Sequence, residues 1–241
     1  MASGSVIGVV GGLGPAATVF YYESLVGEYR RRGLGSPRVV IYTVPIEEMC
    51  RAARAGDVGA VAGLVGEALE VLARAGASVA LVAANTPHMA WDAFAPLASR
   101  LGLRLIHIAE PAVERLRLLG ASRVGILATS GTLRAGFYQE RLEGLGMEPV
   151  VPDGEGQRAL DQAIEALAGA SGLRAGFDAG EVVVGVASQL VEAGADAILV
   201  ACTDISPLLG RLRGALGVPV VDSSVEHVKA AVDAATGGGA R

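Results

Sequence analysis

The sequence is poor in the residues that mark several common functional classes. Of its 241 residues only 4% are aromatic, one is a lysine (Lys229), and the 20 basic side chains form no cluster. A nucleic-acid-binding surface is therefore not expected, because such surfaces combine basic patches with aromatic platforms for the bases. The two cysteines and three separated histidines give neither a disulfide framework nor a local metal-binding motif. We therefore expect chemistry that relies little on cofactors.

Long apolar runs are missing as well. Hydrophobic residues make up 51% of the chain, but they are divided among many short runs. None approaches the length of about 18 residues that a membrane-spanning helix requires. The first residues carry no basic segment of the kind that opens a signal peptide. The sequence therefore predicts a folded, soluble, cytoplasmic protein without a membrane partner.

Short apolar runs alternate with longer amphipathic stretches along the chain. Apolar runs without polar alternation are typical of parallel strands buried on both faces, and they lie at 6–10, 38–44, 78–84, 104–109, 123–129, 196–202 and 218–222. Stretches with apolar residues at helical spacing lie at 15–32, 57–75, 112–119, 132–145, 158–169 and 179–193. This alternation predicts an α/β fold built on open parallel sheets.

An internal repeat divides the chain into two halves. AGASVALVAANT (75–86) aligns without gaps with AGADAILVACTD (193–204), with six of twelve positions identical at an offset of 118 residues. At nearly the same offset, IGVVGGLG (7–14) aligns with VGILATSG (124–131). We predict two similar α/β lobes related by pseudo-twofold symmetry, with the active site in the cleft between them. The first lobe would comprise 1–105 and 223–241, and the second 106–222.

Reactive and polar residues follow the repeated strands, where α/β proteins bind their ligands. Cys202 ends the strand of the second repeat, and a helical stretch after it is expected to favour its thiolate. The corresponding residue of the first repeat is Ala84. Donors suited to a carboxylate also follow strands: Asn85, Thr86, Ser130, Gly131, Thr132 and Thr203. For Thr132, ordinary helix capping is an alternative that does not exclude binding.

Two other features are expected to be structural. Cys50 has no partner motif around it. The glycine turn GGLGP (11–15) opens a helix with proline, but it lacks the lysine of a phosphate-binding loop. Nucleotide binding is therefore not expected.

Five ordered motifs resemble those of the aspartate/glutamate racemase family. They are IGVVGGLGPAAT (7–18), ANTPH (84–88), VGILATSGTLRAGFYQERL (124–142), ACTD (201–204) and VVDSSVEH (220–227). The resemblance implies two α/β lobes and racemisation without pyridoxal phosphate or metal. It also implies a cysteine on each face of the substrate Cα: one thiolate removes the proton and the other thiol returns one from the opposite side.

The chain departs from this family pattern in the first lobe. Cys202 matches the second-lobe cysteine, whereas Ala84 occupies the position of the first-lobe cysteine. Alanine has no titratable group and cannot exchange a proton. The second lobe also lacks the lysine that some relatives use for a substrate carboxylate.

The resemblance assigns supporting roles to several further residues. Arg51 would bind substrate, and Glu48 matches a nearby glutamate of relatives. Asp204 stands where glutamate is usual. His227 would orient or activate Cys202, or serve only as a helix residue, and His88 is expected to pack or cap.

Three functions remain open from the sequence. The favoured one is a racemase for a small dicarboxylic amino acid such as aspartate or glutamate, impaired or one-sided because of Ala84, which is either natural or an engineered replacement of cysteine. The second is a one-cysteine enzyme resembling arylmalonate decarboxylases, which protonates a carbanion after loss of CO2. The third is a non-catalytic protein that binds a related carboxylate. Relatives suggest a homodimer.

Overall fold

The computed structural model of the chain describes residues 5–169 and 178–238. By their internal contacts the residues divide into two compact units. Unit 1 comprises the chain up to Ile108 together with the chain from Val225 onward, and unit 2 comprises Ala109–Ser224. Residues 1–4, 170–177 and 239–241, which the predicted lobes include, lie outside the described residues.

Unit 1 is built on a four-stranded parallel sheet. Its strands are β1 (Val6–Gly11), β2 (Arg38–Thr43), β3 (Ala77–Val82) and β4 (Arg104–Leu105), in the order β2-β1-β3-β4. Its helices are α1 (Pro15–Arg31), α2 (Ile46–Ala55), α3 (Val58–Arg74) and α4 (Trp91–Arg100). A 3-10 helix at Thr86–Ala90 precedes α4.

Unit 2 is built on a second four-stranded parallel sheet. Its strands are β5 (Arg123–Leu127), β6 (Glu148–Val150), β7 (Ala197–Val200) and β8 (Val220–Asp222), in the order β6-β5-β7-β8. Its helices are α5 (Ala109–Leu118), α6 (Ser130–Ala135), α7 (Phe137–Gly144), α8 (Gly154–Leu167), α9 (Ala179–Glu192) and α10 (Leu209–Ala215), with a 3-10 helix at Ser206–Leu208. The last helix, α11 (Ser223–Thr236), begins in unit 2 and continues in unit 1.

Both sheets have the same strand order, so the internal repeat of the sequence is also a repeat of topology. In each unit the first strand lies between the second and the third. The loops that follow the first and third strands therefore diverge at the carboxyl edge of the sheet, which is where open α/β sheets bind ligands. The predicted α/β fold with parallel sheets is confirmed. In unit 1 the loops after β1 and β3 lie next to each other at this carboxyl edge. In unit 2 the loops after β5 and β7 do the same.

Both faces of β1 are buried, which explains why its residues are nearly all apolar. Ile7 and Val9 pack on one face of the sheet with Tyr21 of α1 and Val228 of α11. Val10 points to the other face, where α2, α3 and α4 cover the sheet. Successive side chains of a strand point to opposite faces, and here both faces are covered by helices.

Several elements differ from the sequence-based expectations. Helices α2, α4 and α11 were not predicted, and the strand expected over 104–109 spans only Arg104–Leu105. The three-residue strand β6 was not predicted; it contains Pro149 and lies at the edge of its sheet, where proline is tolerated. The predicted helix over 132–145 is two helices, α6 and α7, which meet at Gly136 with a left-handed φ of 74°. Helical periodicity continues across this break, and periodicity alone therefore could not locate it.

Substitution of Gly12 by alanine should destabilise unit 1. Gly12 has a φ of 81°, and a Cβ there would lie 2.6 Å from the carbonyl oxygen of Val44. We expect a loss of roughly 1–3 kcal/mol from backbone strain alone, and more from the clash. Urea unfolding would measure the free energy. Gly33→Ala is the matched control, because Gly33 has a φ of 69° but, its two chain neighbours aside, no atom of the described residues lies within 4 Å of the position that its Cβ would take. Equal losses in both variants would contradict the clash.

Candidate active site

Cys202 lies two residues beyond β7, at the carboxyl edge of the unit 2 sheet. The bond from the Ala201 N–H to the Leu127 carbonyl (2.8 Å) ties this turn to β5. The Cys202 side chain is buried, and its Sγ lies 4.0 Å from Oδ2 of Asp204. Burial, followed by the charge of Asp204, raises the pKa of the Cys202 thiol to about 12, although nearby backbone N–H groups oppose this.

The resting form of Cys202 is therefore the thiol, and the expectation of a favoured thiolate is wrong. The helical stretch predicted after Cys202 begins with a short 3-10 helix, and α10 starts only at Leu209. Burial disfavours the charged form of a thiol more than these N–H groups favour it. A protonated Cys202 is ready to donate a proton and must first lose one to act as a base.

Two functional candidates missed from the sequence surround this thiol. Tyr138 of α7 is fully buried, its pKa is raised mainly by burial, and its hydroxyl is hydrogen-bonded to the Ser223 side chain. Asp222 ends β8 and accepts a hydrogen bond from the Ser224 N–H (2.7 Å). Both residues lie inside motifs that carry the family resemblance, so position within a motif was the available signal. Asp222 and Asp204 place two carboxyl groups at this edge, and burial also raises the pKa of Asp204.

The loop after β5 is held by Asp161 of α8. Its carboxylate accepts hydrogen bonds from the Ser130 N–H (2.9 Å) and from the Ser130 hydroxyl. The Gln157 amide donates to the same carboxylate at 3.0 Å. A substrate carboxylate at Ser130 would have to compete with Asp161 for these donors. Asp161 was not singled out from the sequence, because nothing in α8 distinguishes it from other surface acids.

Helix α6 is capped by a residue other than the predicted one. Thr129 accepts a hydrogen bond from the Thr132 N–H (3.2 Å), and its hydroxyl also bonds to that of Thr132 (3.1 Å). Thr129 is thus the N-cap and the buried Thr132 is a helical residue. Gly131 lies between Ser130 and Thr132 in the first turn of α6. The alternative that Thr132 caps the helix is wrong, because the cap is Thr129, three residues earlier.

In unit 1, Ala84, Asn85 and Thr86 follow β3 at its carboxyl edge. Ala84 and Asn85 are buried, and Thr86 is partly buried. The bond from the Ala83 N–H to the Val10 carbonyl (2.9 Å) ties this turn to β1. It is the counterpart of the bond that ties the turn of Cys202 to β5 in unit 2. Ala84 and Cys202 therefore occupy equivalent places in the two repeated units.

The remaining predicted site residues lie on α2, on α11 and next to Cys202. Arg51 and Glu48 lie on α2 with exposed side chains. Both ring nitrogens of His227 are engaged inside unit 1, with the Tyr21 hydroxyl at 3.0 Å and the Ile106 carbonyl at 2.9 Å. Both partners lie in unit 1, which favours the alternative that His227 is a structural residue of α11. Thr203 is buried next to Cys202.

Two further findings concern only residues 5–169 and 178–238. Within these ranges, no three side chains of the metal-binding types stand together in a group that would hold a metal ion. Among the helices that the structure describes, none combines the length and the apolar character needed to cross a membrane.

Removal of the Asp204 charge should make Cys202 more acidic. In a Cys50→Ser background, Cys202 is the one remaining cysteine of the sequence, and alkylation by iodoacetamide then reports on it alone. We expect Asp204→Asn to lower the pKa of Cys202, because the carboxylate charge disfavours the thiolate. Alkylation at pH 8 should accelerate roughly tenfold for each pKa unit lost. An unchanged pH profile, with folding verified by circular dichroism, would show that burial alone sets the pKa.

The repeated sheets, with a buried thiol at the carboxyl edge of one of them, define an α/β enzyme of two duplicated units. The model of the Asp/Glu/Hydantoin racemase family matches residues 10–231. The chain belongs to this family of racemases, which are isomerases. The match confirms both the family resemblance and the enzyme class predicted from the sequence.

Known structures and relatives agree with this membership. A candidate Asp/Glu racemase from Yersinia pestis is similar at 29% identity and a TM-score of 0.81, covering 96% of this chain and 99% of that one. An aspartate racemase homologue from Pyrococcus horikoshii OT3 is similar at 27% identity and a TM-score of 0.77, with the same two coverages. Glutamate racemase of Corynebacterium diphtheriae is 28% identical over 172 residues, which are 66% of this chain but only 58% of that protein.

Proposed function

We propose that the chain is a racemase of the aspartate/glutamate type that works without pyridoxal phosphate, with Cys202 as its one proton-transferring side chain. The buried Cys202 thiol at the carboxyl edge of unit 2 carries this proposal. Ala84 takes the equivalent place in unit 1, where a second proton-transferring group would stand. Membership of the racemase family and the duplicated strand order support this proposal.

Proton transfer would take place at the substrate Cα. The Cys202 thiol first loses its proton to solvent. The thiolate then removes the Cα proton: an S–H bond forms, the Cα–H bond breaks, and the electron pair enters the carbanion. The adjacent Thr203 and the donors Asn85 and Thr86 would stabilise that charge. The α-ammonium group of the substrate would bind near Asp204 and Asp222. Because Ala84 cannot transfer a proton, water would have to protonate the opposite face, and inversion would be much slower than exchange.

The protonated state of Cys202 favours a second candidate, a cofactor-free decarboxylase. In that reaction the bond between Cα and a carboxylate breaks, CO2 leaves, and the electron pair remains on Cα. The Cys202 thiol then donates its proton to Cα, and water restores the thiol. A resting thiol with a pKa raised to about 12 is already in the form that this step needs. One proton donor is sufficient, so Ala84 would not impair the reaction.

Proton NMR in D2O separates these functions. The native chain would be incubated with each enantiomer of aspartate and glutamate. Loss of the Cα proton signal from one enantiomer is the result expected of the racemase. CO2 release from a disubstituted malonate, without exchange of any amino acid, would transfer the assignment to the decarboxylase. A rise in melting temperature with these compounds, but without either reaction, would overturn both and leave a carboxylate-binding protein.

A further inference from the structure

All three histidines of the chain meet inside unit 1, although they are far apart in the sequence. His88 lies in the 3-10 helix after β3, His107 follows β4, and His227 lies on α11. The ring centroids of His88 and His107 are 4.8 Å apart, and those of His88 and His227 are 6.1 Å apart. The ring of Trp91 stacks on His88 at 5.7 Å. All three histidines are buried, with at most 2% of each exposed.

The hydrogen bonds of His88 determine its protonation. Its Nδ1 lies 3.0 Å from the carbonyl oxygen of Ala84, which only accepts, so Nδ1 carries a hydrogen and donates. Its Nε2 lies 3.3 Å from the Ile108 N–H, which only donates, so Nε2 carries no hydrogen and accepts. His88 is therefore the neutral Nδ1–H tautomer. One ring thus joins the turn after β3 to the segment after β4. We call these two hydrogen bonds of His88, to Ala84 and to Ile108, the tie.

His227 binds the same segment with the opposite tautomer. Its Nε2 donates to the carbonyl oxygen of Ile106 at 2.9 Å, and its Nδ1 accepts from the Tyr21 hydroxyl at 3.0 Å. Residues 106–108 are thus bonded to one neutral histidine at each end. This segment is the anchor against which His88 holds Ala84.

We infer that His88 is a positioning residue, whose neutral ring fixes the Ala84–Thr86 turn to the segment 106–108 after β4 and so sets the geometry of the proposed site residues in unit 1. The role of this turn in the reaction rests on the proposed function. The existence of the two hydrogen bonds does not depend on the proposed function. A second proton on His88 would sit on Nε2 and face the Ile108 N–H, so that two donors would oppose each other. Protonation must therefore release one end of the tie.

The surroundings of His88 keep it neutral. Burial, and then the proximity of His107 and His227, lower the pKa of His88 well below its ordinary value. The helices α2, α3 and α4 pack against this 3-10 helix, and every Asp, Glu and Arg that they carry is exposed. Burial likewise lowers the pKa of His227 to about 4. Both histidines titrate near 6.5 when unfolded, so their neutral forms stabilise the fold above that pH. This contribution is lost as the pH falls below 6.5 toward the lowered pKa of each ring, which for His227 is about 4.

Histidine ¹⁵N NMR tests the tie without any assay of activity. With three histidines in the chain, ring signals can be assigned by single substitutions. At pH 7.5 we expect the Nδ1–H tautomer for His88 and the Nε2–H tautomer for His227, with neither ring protonated at pH 6. An Nε2–H tautomer of His88, or its titration near pH 6.5, would overturn the inference even if the chain proves to be an active racemase. If the chain exchanges no amino acid, this measurement still decides whether the tie exists.

Two substitutions then separate positioning from stability. In His88→Asn the side-chain amide still donates to Ala84 and cannot titrate, although the acceptor of the Ile108 N–H is lost; in His88→Leu both hydrogen bonds are lost. We expect exchange at Cα to fall by no more than a few-fold in His88→Asn but by roughly 100-fold in His88→Leu, because misplacement by about 1 Å costs that much. The loss should appear in kcat rather than in KM. Val65→Ala, a core variant of α3 with Val65 fully buried, controls for destabilisation. Equal kcat losses in His88→Leu and Val65→Ala would show that His88 is merely structural.

Discussion

Substitution of Ala84 by cysteine is expected to raise the rate of racemisation by about 10²- to 10⁴-fold, the usual contribution of one positioned acid or base. Ala84 and Cys202 occupy equivalent ends of the third strands of two sheets with the same order. A thiol at residue 84 would supply the proton transfer that water must otherwise perform. Circular dichroism of a single enantiomer of aspartate or glutamate would follow the loss of optical activity.

Ala84→Ser is the matched control for this substitution. Its hydroxyl is nearly the same size as a thiol but far less acidic, so it should restore little. If Ala84→Cys and Ala84→Ser racemise substrate at the same low rate while both keep the exchange catalysed by Cys202, residue 84 does not face the substrate Cα. The role proposed for residue 84 in proton transfer would then be abandoned.

Substitution of Cys202 by alanine is expected to abolish exchange at Cα, with a loss of about 10²- to 10⁴-fold toward the uncatalysed rate. The change removes the one thiol of the described site and leaves the hydrogen bonds of the neighbouring loops in place. Substrate should therefore still raise the melting temperature. Deuterium incorporation measured by NMR gives the rate, and thermal unfolding reports the binding.

Cys50→Ala provides the comparison, because Cys50 is exposed on α2 and should tolerate the change with full exchange. Exchange that survives in Cys202→Ala would place the base elsewhere. Tyr138 and Asp222, which lie near the thiol, would then be the first residues to replace.

Much of the fold could be predicted from the sequence because the apolar runs clearly mark buried strands. Runs such as VIGVV and DAILVAC are buried on both faces of a sheet, and the repeat located equivalent strands in the two units. The strand β6 was missed because three residues with a proline at a sheet edge carry no periodic signal. Periodicity also joined α6 to α7 across Gly136, whose left-handed conformation ends one helix and begins the next.

The site could be predicted from the sequence only where it depends on residues close together in the chain. Cys202 and Ala84 follow their strands directly, so alignment of the repeat placed them. The state of Cys202 depends on burial, which neither spacing nor composition reveals, and the expected thiolate is a thiol. The pairing of Ser130 with Asp161 and the meeting of three histidines arise from contacts between distant elements. Sequence reasoning treated those histidines as scattered for the same reason.

The two units differ in how their chains are arranged, and this bears on synthesis at the ribosome. Unit 2 is one continuous stretch, Ala109–Ser224, whereas unit 1 is completed by α11. Ile7, Val9 and Leu81 pack with Val228 and its neighbours on α11. At about 5–20 residues per second, those side chains wait on the order of ten seconds before α11 is made. Unit 2 has all of its own core by then, so an apolar face of the unit 1 sheet is the surface that a nascent chain leaves open longest.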